Sequence, residues 1–154
     1  MKITRTKQKY LGLLFALVMM LTMSSQAYAA TTSTVSKTAT SPITVYVPPG
    51  SYAWSNTVSI KFTSPNANAT AVKVELPLSA HNGNPVVIQF ARVTAPSGYY
   101  YDIPIGSGNS GQITLPVLEP IVGTWTVQVY CYSPIGQYSY GYAKYYPVRL
   151  TLIY

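Results

Sequence analysis

Apolar and polar side chains alternate most regularly in the segment Gly123–Tyr132. Its odd-numbered positions from Trp125 onward are apolar (Trp125, Val127, Val129 and Cys131), and its even-numbered positions are threonine, glutamine and tyrosine. Successive side chains of a β-strand point to opposite faces of a sheet. The segment therefore predicts a strand that packs its odd-numbered face into a core and turns its even-numbered face outward.

Similar short alternations, separated by turn residues, continue from Pro42 to the C-terminus. The predicted strands are Ile43–Val47, Ala53–Phe62, Thr70–Leu76, Val86–Val93, Tyr99–Ile103, Gln112–Leu115, Thr124–Tyr132 and a last segment from Tyr138 to the end. Glycine, proline, asparagine and serine fill the gaps, because each favours a turn for its own backbone reason. This pattern predicts an all-β fold, an antiparallel β-sandwich or barrel of about eight strands.

The N-terminus has the three parts of a secretory signal peptide. A basic start up to Lys9 precedes the apolar run Leu11–Met23, and Ala27-Tyr28-Ala29 forms a small-residue cleavage site. An uncleaved anchor is the alternative, but the run is shorter than the ~20 residues that a membrane span needs. The expected organisation is a signal peptide at 1–29, a flexible Thr/Ser-rich lead at 30–41 and a β-sandwich domain at 42–154.

Removal of the signal peptide changes the charge of the chain. The full sequence carries a net charge of +7, but four of its ten basic residues lie in the predicted signal. The remainder keeps six basic and three acidic residues, a net charge of +3. These basic residues are scattered singly, whereas nucleic-acid binding normally needs a basic cluster or stripe. We therefore expect no nucleic-acid partner.

The C-terminal third resembles a known class of secreted module. The segment Val122–Tyr130, a glycine-containing loop and the final apolar segment Pro147–Tyr154 are similar to the end of jelly-roll modules of secreted proteases. These modules are the proprotein-convertase P domain and the bacterial pre-peptidase C-terminal domain. The resemblance implies a jelly-roll-like sandwich with an accessory role in a bacterial secreted protein. It transfers no functional residue, because the acidic cluster of a calcium site is missing.

Few side chains are suited to catalysis. His81 is the only histidine, lies in an Asn/Gly/Pro turn and is expected to be solvated. Cys131 is the only cysteine, so no intrachain disulfide is possible, and its place on the apolar face predicts a buried, inert thiol. A hydrolase that uses Asp102 with Glu119 remains an alternative, because a glycosidase needs two carboxylates on one cleft. We expect no catalytic residues, no metal site and no cofactor.

Tyrosine is concentrated near the C-terminus, where eight of the fifteen tyrosines follow Val129. A hairpin between Thr124–Tyr132 and Tyr138–Tyr145 would set Tyr132 opposite Tyr138 and form an outward ladder. Its members, the candidate binding residues, are Tyr130, Tyr132, Tyr138, Tyr140 and Tyr142. Such rings can simply pack on one another, but sizeable exposed aromatic patches usually mark a binding surface.

The apolar parity changes after this predicted ladder. The positions Ser139, Gly141 and Ala143 are odd-numbered, whereas Val148 and the apolar positions that follow it are even-numbered. One residue must therefore be inserted near Pro147, which cannot donate a ladder hydrogen bond. A bulge or strand break is expected there.

These observations predict a secreted, non-catalytic β-sandwich protein. It would be extracellular or associated with the cell surface, and would act as a surface-, carbohydrate- or matrix-binding accessory protein through the tyrosine face. The expected partners are a cell-surface polysaccharide or a matrix protein, and self-association through the same face is a further option. The alternative is a secreted toxin or antimicrobial protein that acts on membranes.

Overall fold

The computed structural model describes residues 31–136 and 139–154, so the predicted signal peptide and Tyr138 lie outside the described residues. All of the described strands lie within the unit Thr32–Tyr154. The described strands are β1 (Thr34–Thr38), β2 (Ile43–Val47), β3 (Tyr52–Trp54), β4 (Val58–Phe62), β5 (Asn68–Glu75), β6 (Leu78–His81), β7 (Val87–Thr94), β8 (Tyr100–Pro104), β9 (Ser110–Pro120), β10 (Gly123–Tyr132), β11 (Gly141–Tyr145) and β12 (Arg149–Ile153).

All pairings between these strands are antiparallel. The predicted all-β, antiparallel β-sandwich is confirmed, with twelve strands in the described ranges where the sequence indicated about eight. In the same ranges, no helix has the length and apolar character to cross a membrane.

Two layers of strands enclose one core. The five-strand layer has β10 in the middle, with β7 and then β8 on one side and with β3 and β4 end to end on the other. The split layer consists of two sheets in series, β1-β12-β5-β9 and β2-β11-β6. The two sheets follow one another along the strand direction, because three chain segments run through both. In these segments β1 leads into β2, β5 into β6, and β11 into β12.

The segment that joins β11 to β12 is interrupted, and the parity of its buried residues changes there. Tyr145 at the end of β11 and Val148 just before β12 are both buried, so the buried parity changes from odd to even. Hydrogen bonding continues across the interruption, because the amide of Tyr146 donates to the carbonyl of Pro77 at 2.9 Å. The predicted strand break near Pro147 is confirmed.

The inward side of β10 forms the centre of the core. Its four odd-numbered side chains, Trp125, Val127, Val129 and Cys131, have no solvent exposure. The indole Nε1 of Trp125 donates to the carbonyl of Ile121 at 3.1 Å, so the polar atom of this buried ring has a partner. Each large apolar side chain that is buried contributes about 1.5–3 kcal/mol. The inward half of the prediction for this strand is confirmed.

Contacts at two edges join the layers. Lys37 of β1 donates from Nζ to the carbonyl of Lys61 on β4 at 2.8 Å. On the opposite edge, Gly111 of β9 lies against the end of β8, where a Cβ atom would stand 2.2 Å from the carbonyl oxygen of Pro104. A side chain at Gly111 would therefore force the two strands apart, and glycine allows the close approach.

The structure differs from the sequence prediction for the lead at 30–41. Residues Thr34–Thr38 form β1, which pairs with β12 in the register Thr34 to Ile153. The hydroxyls of Ser36 and Thr151 also form a cross-strand hydrogen bond of 2.7 Å. Threonine and valine favour strands when a partner strand is present, and that partner lies at the other end of the chain.

The predicted strand Ala53–Phe62 is interrupted. Asn56 separates β3 from β4: its side chain accepts a hydrogen bond from the amide of Thr44 at 2.6 Å and donates one to the carbonyl of Pro42 at 3.1 Å. Across this interruption, the even-numbered side chains change from the outward face of β3 to the buried face of β4. Trp54 is therefore 40 % exposed, although Val58, also even-numbered, is buried.

The predicted hairpin between Thr124–Tyr132 and Tyr138–Tyr145 is wrong. Strand β10 pairs with β3, β4 and β7, and β11 pairs with β2 and β6. The two strands belong to different layers and share only the core between them. Tyr142 consequently lies opposite Tyr46 and is not opposite Gln128.

Candidate functional site

The outward side of the five-strand layer carries aromatic and polar side chains in rows that run across the strands. Neighbouring rows are two residues apart along the central strand β10, or about 7 Å. Strand β7 contains a β-bulge, because Tyr130 pairs with Phe90 but Tyr132 pairs with Val87. The extra residue in β7 keeps both Phe90 and Val87 on the outward face. In order along the layer, the rows are Tyr52–Tyr132–Val87, Trp54–Tyr130–Phe90–Pro104, Thr57–Gln128–Arg92–Asp102 and Ser59–Thr126–Thr94–Tyr100.

Five rings in the first two rows form a contiguous cluster, the aromatic platform: Tyr52, Trp54, Phe90, Tyr130 and Tyr132. Tyr130 is at its centre, with ring centroids 4.8 Å from Trp54, 5.3 Å from Phe90 and 5.5 Å from Tyr52. Tyr132 extends the cluster, with its centroid 4.8 Å from Tyr52. Aromatic pairs of this kind contribute about 0.5–1.5 kcal/mol beyond area burial. The rings therefore hold one another in place, while Tyr52 and Trp54 stay 55 % and 40 % exposed.

An ion pair lies beside the platform in the third row. Arg92 donates from Nε and Nη2 to the two carboxylate oxygens of Asp102, both at 2.7 Å. Its guanidinium carbon is also 4.1 Å from the ring centroid of Tyr100 and 4.8 Å from that of Trp54. The hydrogen bonds from Arg92 to Asp102 raise the pKa of Arg92, so it stays a cation. Exposed pairs add only about 0.2–1 kcal/mol to stability, so the main effect is a fixed orientation of both groups.

The structure separates the five tyrosines predicted to form one ladder. Tyr130 and Tyr132 lie together on the five-strand layer, within the platform. Tyr142 lies on the outer side of the split layer, with its ring centroid 4.9 Å from that of Tyr46. Tyr140 precedes β11 and is 60 % exposed, and its carbonyl accepts hydrogen bonds from two side-chain amides of the loop after β6. Tyr138 lies outside the described residues.

The sequence did not indicate Tyr52, Trp54, Phe90 or Arg92 as site residues, and it offered Asp102 only as a hydrolase carboxylate together with Glu119. The pattern Tyr52-Ala53-Trp54 alternates large and small side chains, which is typical of a strand with one aromatic face. Phe90 and Arg92 follow the same parity around Ala91, which is fully buried. These signals were present in the sequence. Their relation to Tyr130 was not visible, because it depends on which strands pair with β10.

The carboxylates proposed for a hydrolase lie on opposite sides of β8. Asp102 points outward to Arg92. Glu119 is 1 % exposed and accepts hydrogen bonds from Ser97 at 2.5 Å and from Tyr101, the inward neighbour of Asp102. Glycosidase chemistry requires two carboxylates in one cleft. Asp102 and Glu119 do not have this arrangement.

The remaining reactive side chains also have defined surroundings. His81 is exposed, and its Nδ1 accepts a hydrogen bond from the amide of Gly83 at 3.1 Å. Cys131 is fully buried, which confirms the prediction of a buried thiol, and this burial raises its pKa to about 12. Residues 31–136 and 139–154 contain no group of three or more histidine, cysteine or carboxylate side chains placed to hold a metal ion.

Comparison with known proteins gives no family for this chain. No protein-family model matches it, and neither does any curated protein sequence. The crystal structure of FlhE is 15 % identical, with a TM-score of 0.42, and the match covers 80 % of this chain and 95 % of that one. A candidate secreted protein from Eubacterium rectale is 14 % identical, with a TM-score of 0.46, and the match covers 79 % of this chain and 40 % of that one. At this level of similarity neither structure carries a functional argument.

Proposed function

We propose that this protein is secreted and non-catalytic, and that it binds carbohydrate on a cell surface or in an extracellular matrix. The observation that carries the proposal is the aromatic platform beside the Arg92–Asp102 pair. Export is proposed from the basic and apolar N-terminal segment described above. The binding surface is the five-strand layer, rather than the tyrosine hairpin that the sequence indicated.

The chemistry of the platform suits a sugar chain. An aromatic ring has a negative face and a positive edge, so its face attracts the weakly positive C–H groups on one side of a pyranose. The side chains of Tyr52 and Trp54 are largely exposed, and both rings pack against Tyr130. Hydroxyl groups at the edge of the sugar would then meet the polar row that contains Arg92 and Gln128.

Retention on insoluble polysaccharides and isolated cell walls tests this proposal. Tyr52→Ala and Trp54→Ala should each reduce retention at least about tenfold, which corresponds to a loss of about 1.4 kcal/mol. Tyr46→Ala is the matched control, because Tyr46 is 65 % exposed but lies on the outer side of the split layer. Equal retention of all three variants would contradict a role for the platform.

A vesicle-leakage assay separates this proposal from the membrane-active alternative. The protein should release no dye from anionic vesicles at concentrations that saturate the polysaccharide. Leakage that Tyr52→Ala leaves unchanged, without retention on any polysaccharide or cell wall, would favour the toxin or antimicrobial function.

A further inference from the structure

We infer that the proposed carbohydrate site selects uncharged, hydroxyl-rich glycans over anionic ones, and that the Arg92–Asp102 pair determines this selectivity. The inference rests on the proposed function and names the class of glycan. It follows from the charges, the free hydrogen-bonding groups and the exposed rings that meet on the five-strand layer.

The charge beside the platform is balanced. Arg92 and Asp102 neutralise each other through two hydrogen bonds of 2.7 Å. Among the described residues, the nearest further charged side chain on this face is Lys61. It lies two residues beyond Ser59 on β4 and pairs with Thr124. Lys61 is two rows beyond Arg92, about 14 Å along the strands, which exceeds the screening length of about 8 Å at physiological salt. An anionic glycan would therefore meet the carboxylate of Asp102 without an unpaired cation nearby.

The ion pair keeps hydrogen-bonding capacity toward solvent. Its fork uses only Nε and one Nη2 proton of Arg92, and a guanidinium has further N–H donors in the same plane. The carboxylate of Asp102 likewise retains lone pairs. The side chains of Arg92 and Asp102 are 26 % and 38 % exposed. Donors and acceptors side by side match hydroxyl groups, which both donate and accept.

The orientation of the pair is fixed before any ligand binds. The rings of Tyr100 and Trp54 lie against the guanidinium of Arg92, and the fork to Asp102 sets its plane. Trp54 also belongs to the platform, so the stacking surface and the hydrogen-bonding edge share one side chain. A sugar stacked on Trp54 would place its hydroxyls next to Arg92, about one row away.

Two cellulose derivatives with the same backbone provide the test. Hydroxyethyl cellulose is neutral and carboxymethyl cellulose is anionic, so affinity electrophoresis or calorimetry with both polymers isolates the effect of charge. The protein should bind the neutral polymer at least about tenfold more tightly, a difference of about 1.4 kcal/mol. A second pair, dextran and dextran sulfate, checks that the preference does not depend on the backbone.

Conservative variants locate the selectivity. Asp102→Asn leaves Arg92 as an unpaired cation and should shift the preference toward carboxymethyl cellulose by at least about tenfold. Arg92→Lys keeps the charge but lacks the planar fork, and should lose affinity for the neutral polymer. Lys144→Gln, on β11 of the split layer, is the control and should change neither affinity. Urea unfolding of each variant confirms that it is folded.

The outcomes distinguish this inference from the proposed function. Binding to both polymers with a preference for the anionic one, or an Asp102→Asn variant with unchanged selectivity, would overturn the inference and leave the proposed function intact. Absence of binding to every polysaccharide and cell wall would overturn both.

Discussion

The carboxylate of Glu119 offers a sharp test of what stabilises this fold. It is the one buried acidic side chain in the described ranges, at 1 % exposure, and it accepts hydrogen bonds there from the hydroxyls of Ser97 and Tyr101. A buried carboxylate without hydrogen-bond donors would cost several kcal/mol. The two hydroxyls, supplied by β8 and the turn before it, therefore tie β9 to the five-strand layer.

Replacing Tyr101 with phenylalanine removes one donor and keeps the ring. A hydrogen bond to a charged group contributes about 1.5–3 kcal/mol, and Glu119 keeps its bond to Ser97. We expect the free energy of unfolding to fall by about 2 kcal/mol, roughly thirtyfold in the ratio of folded to unfolded protein. Tyr100→Phe is the matched control, because Tyr100 immediately precedes Tyr101 in β8 and its side chain is exposed. It should change stability by less than about 0.5 kcal/mol.

Urea unfolding, followed by the fluorescence of Trp54 and Trp125 and by circular dichroism, measures both variants. The dependence of the unfolding free energy on urea should stay constant, so that the shift of the midpoint reports stability. A double-mutant cycle with Glu119→Gln should show strong non-additivity with Tyr101→Phe. Equal stability of Tyr101→Phe and Tyr100→Phe would refute the reasoning.

Three further predictions concern burial and close packing. Burial raises the pKa of Tyr101 to about 12 and that of Tyr145 above its usual range. The unfolded chain loses these protons near pH 10, so stability should be full below about pH 10 and decline between about pH 10 and 12; an unchanged urea midpoint across this window would contradict it. Cys131 should react with a thiol reagent at least about a hundredfold more slowly in the native protein than in urea, and similar rates would show an accessible thiol. Gly111→Ala should destabilise the protein by about 1–3 kcal/mol in urea unfolding, whereas Gly106→Ala, with no atom closer than 3.9 Å to its Cβ position, should be nearly neutral.

The sequence predicted the core face of β10 because burial there follows local periodicity. Trp125 and Cys131 alternate with polar residues, and a period of two is enough to assign them to one side. The break near Pro147 was predictable for the same reason, since the parity of the apolar positions changes there. The all-β class followed from turn residues at short intervals.

Strand pairing was not predictable in this way, because it depends on contacts between distant parts of the chain. The hairpin assumption gave β10 the next strand along the sequence as its partner. In the structure, its partners are strands that begin at Tyr52, Val58 and Val87. The periodicity of β10 fits any partner that buries the same face, so it cannot choose among them. The sequence of β1 did not predict a strand because it is a polar Thr/Ser segment without an apolar period. It forms a strand by pairing with β12, which lies at the other end of the chain.

The aromatic platform is built on the strand with the most hydrogen-bonded neighbours in its layer. Strand β10 pairs with β7 along one edge and with β3 and β4 along the other, while its opposite face is packed in the core. Tyr130 therefore cannot move outward without disturbing buried neighbours, and the rings of Tyr52 and Trp54 pack against it. Binding to such a preformed surface costs less conformational entropy than binding to a mobile loop. The alternation that places Val129 in the core and Tyr130 outside thus does two things at once: it stabilises the sandwich and fixes the surface that we propose for carbohydrate.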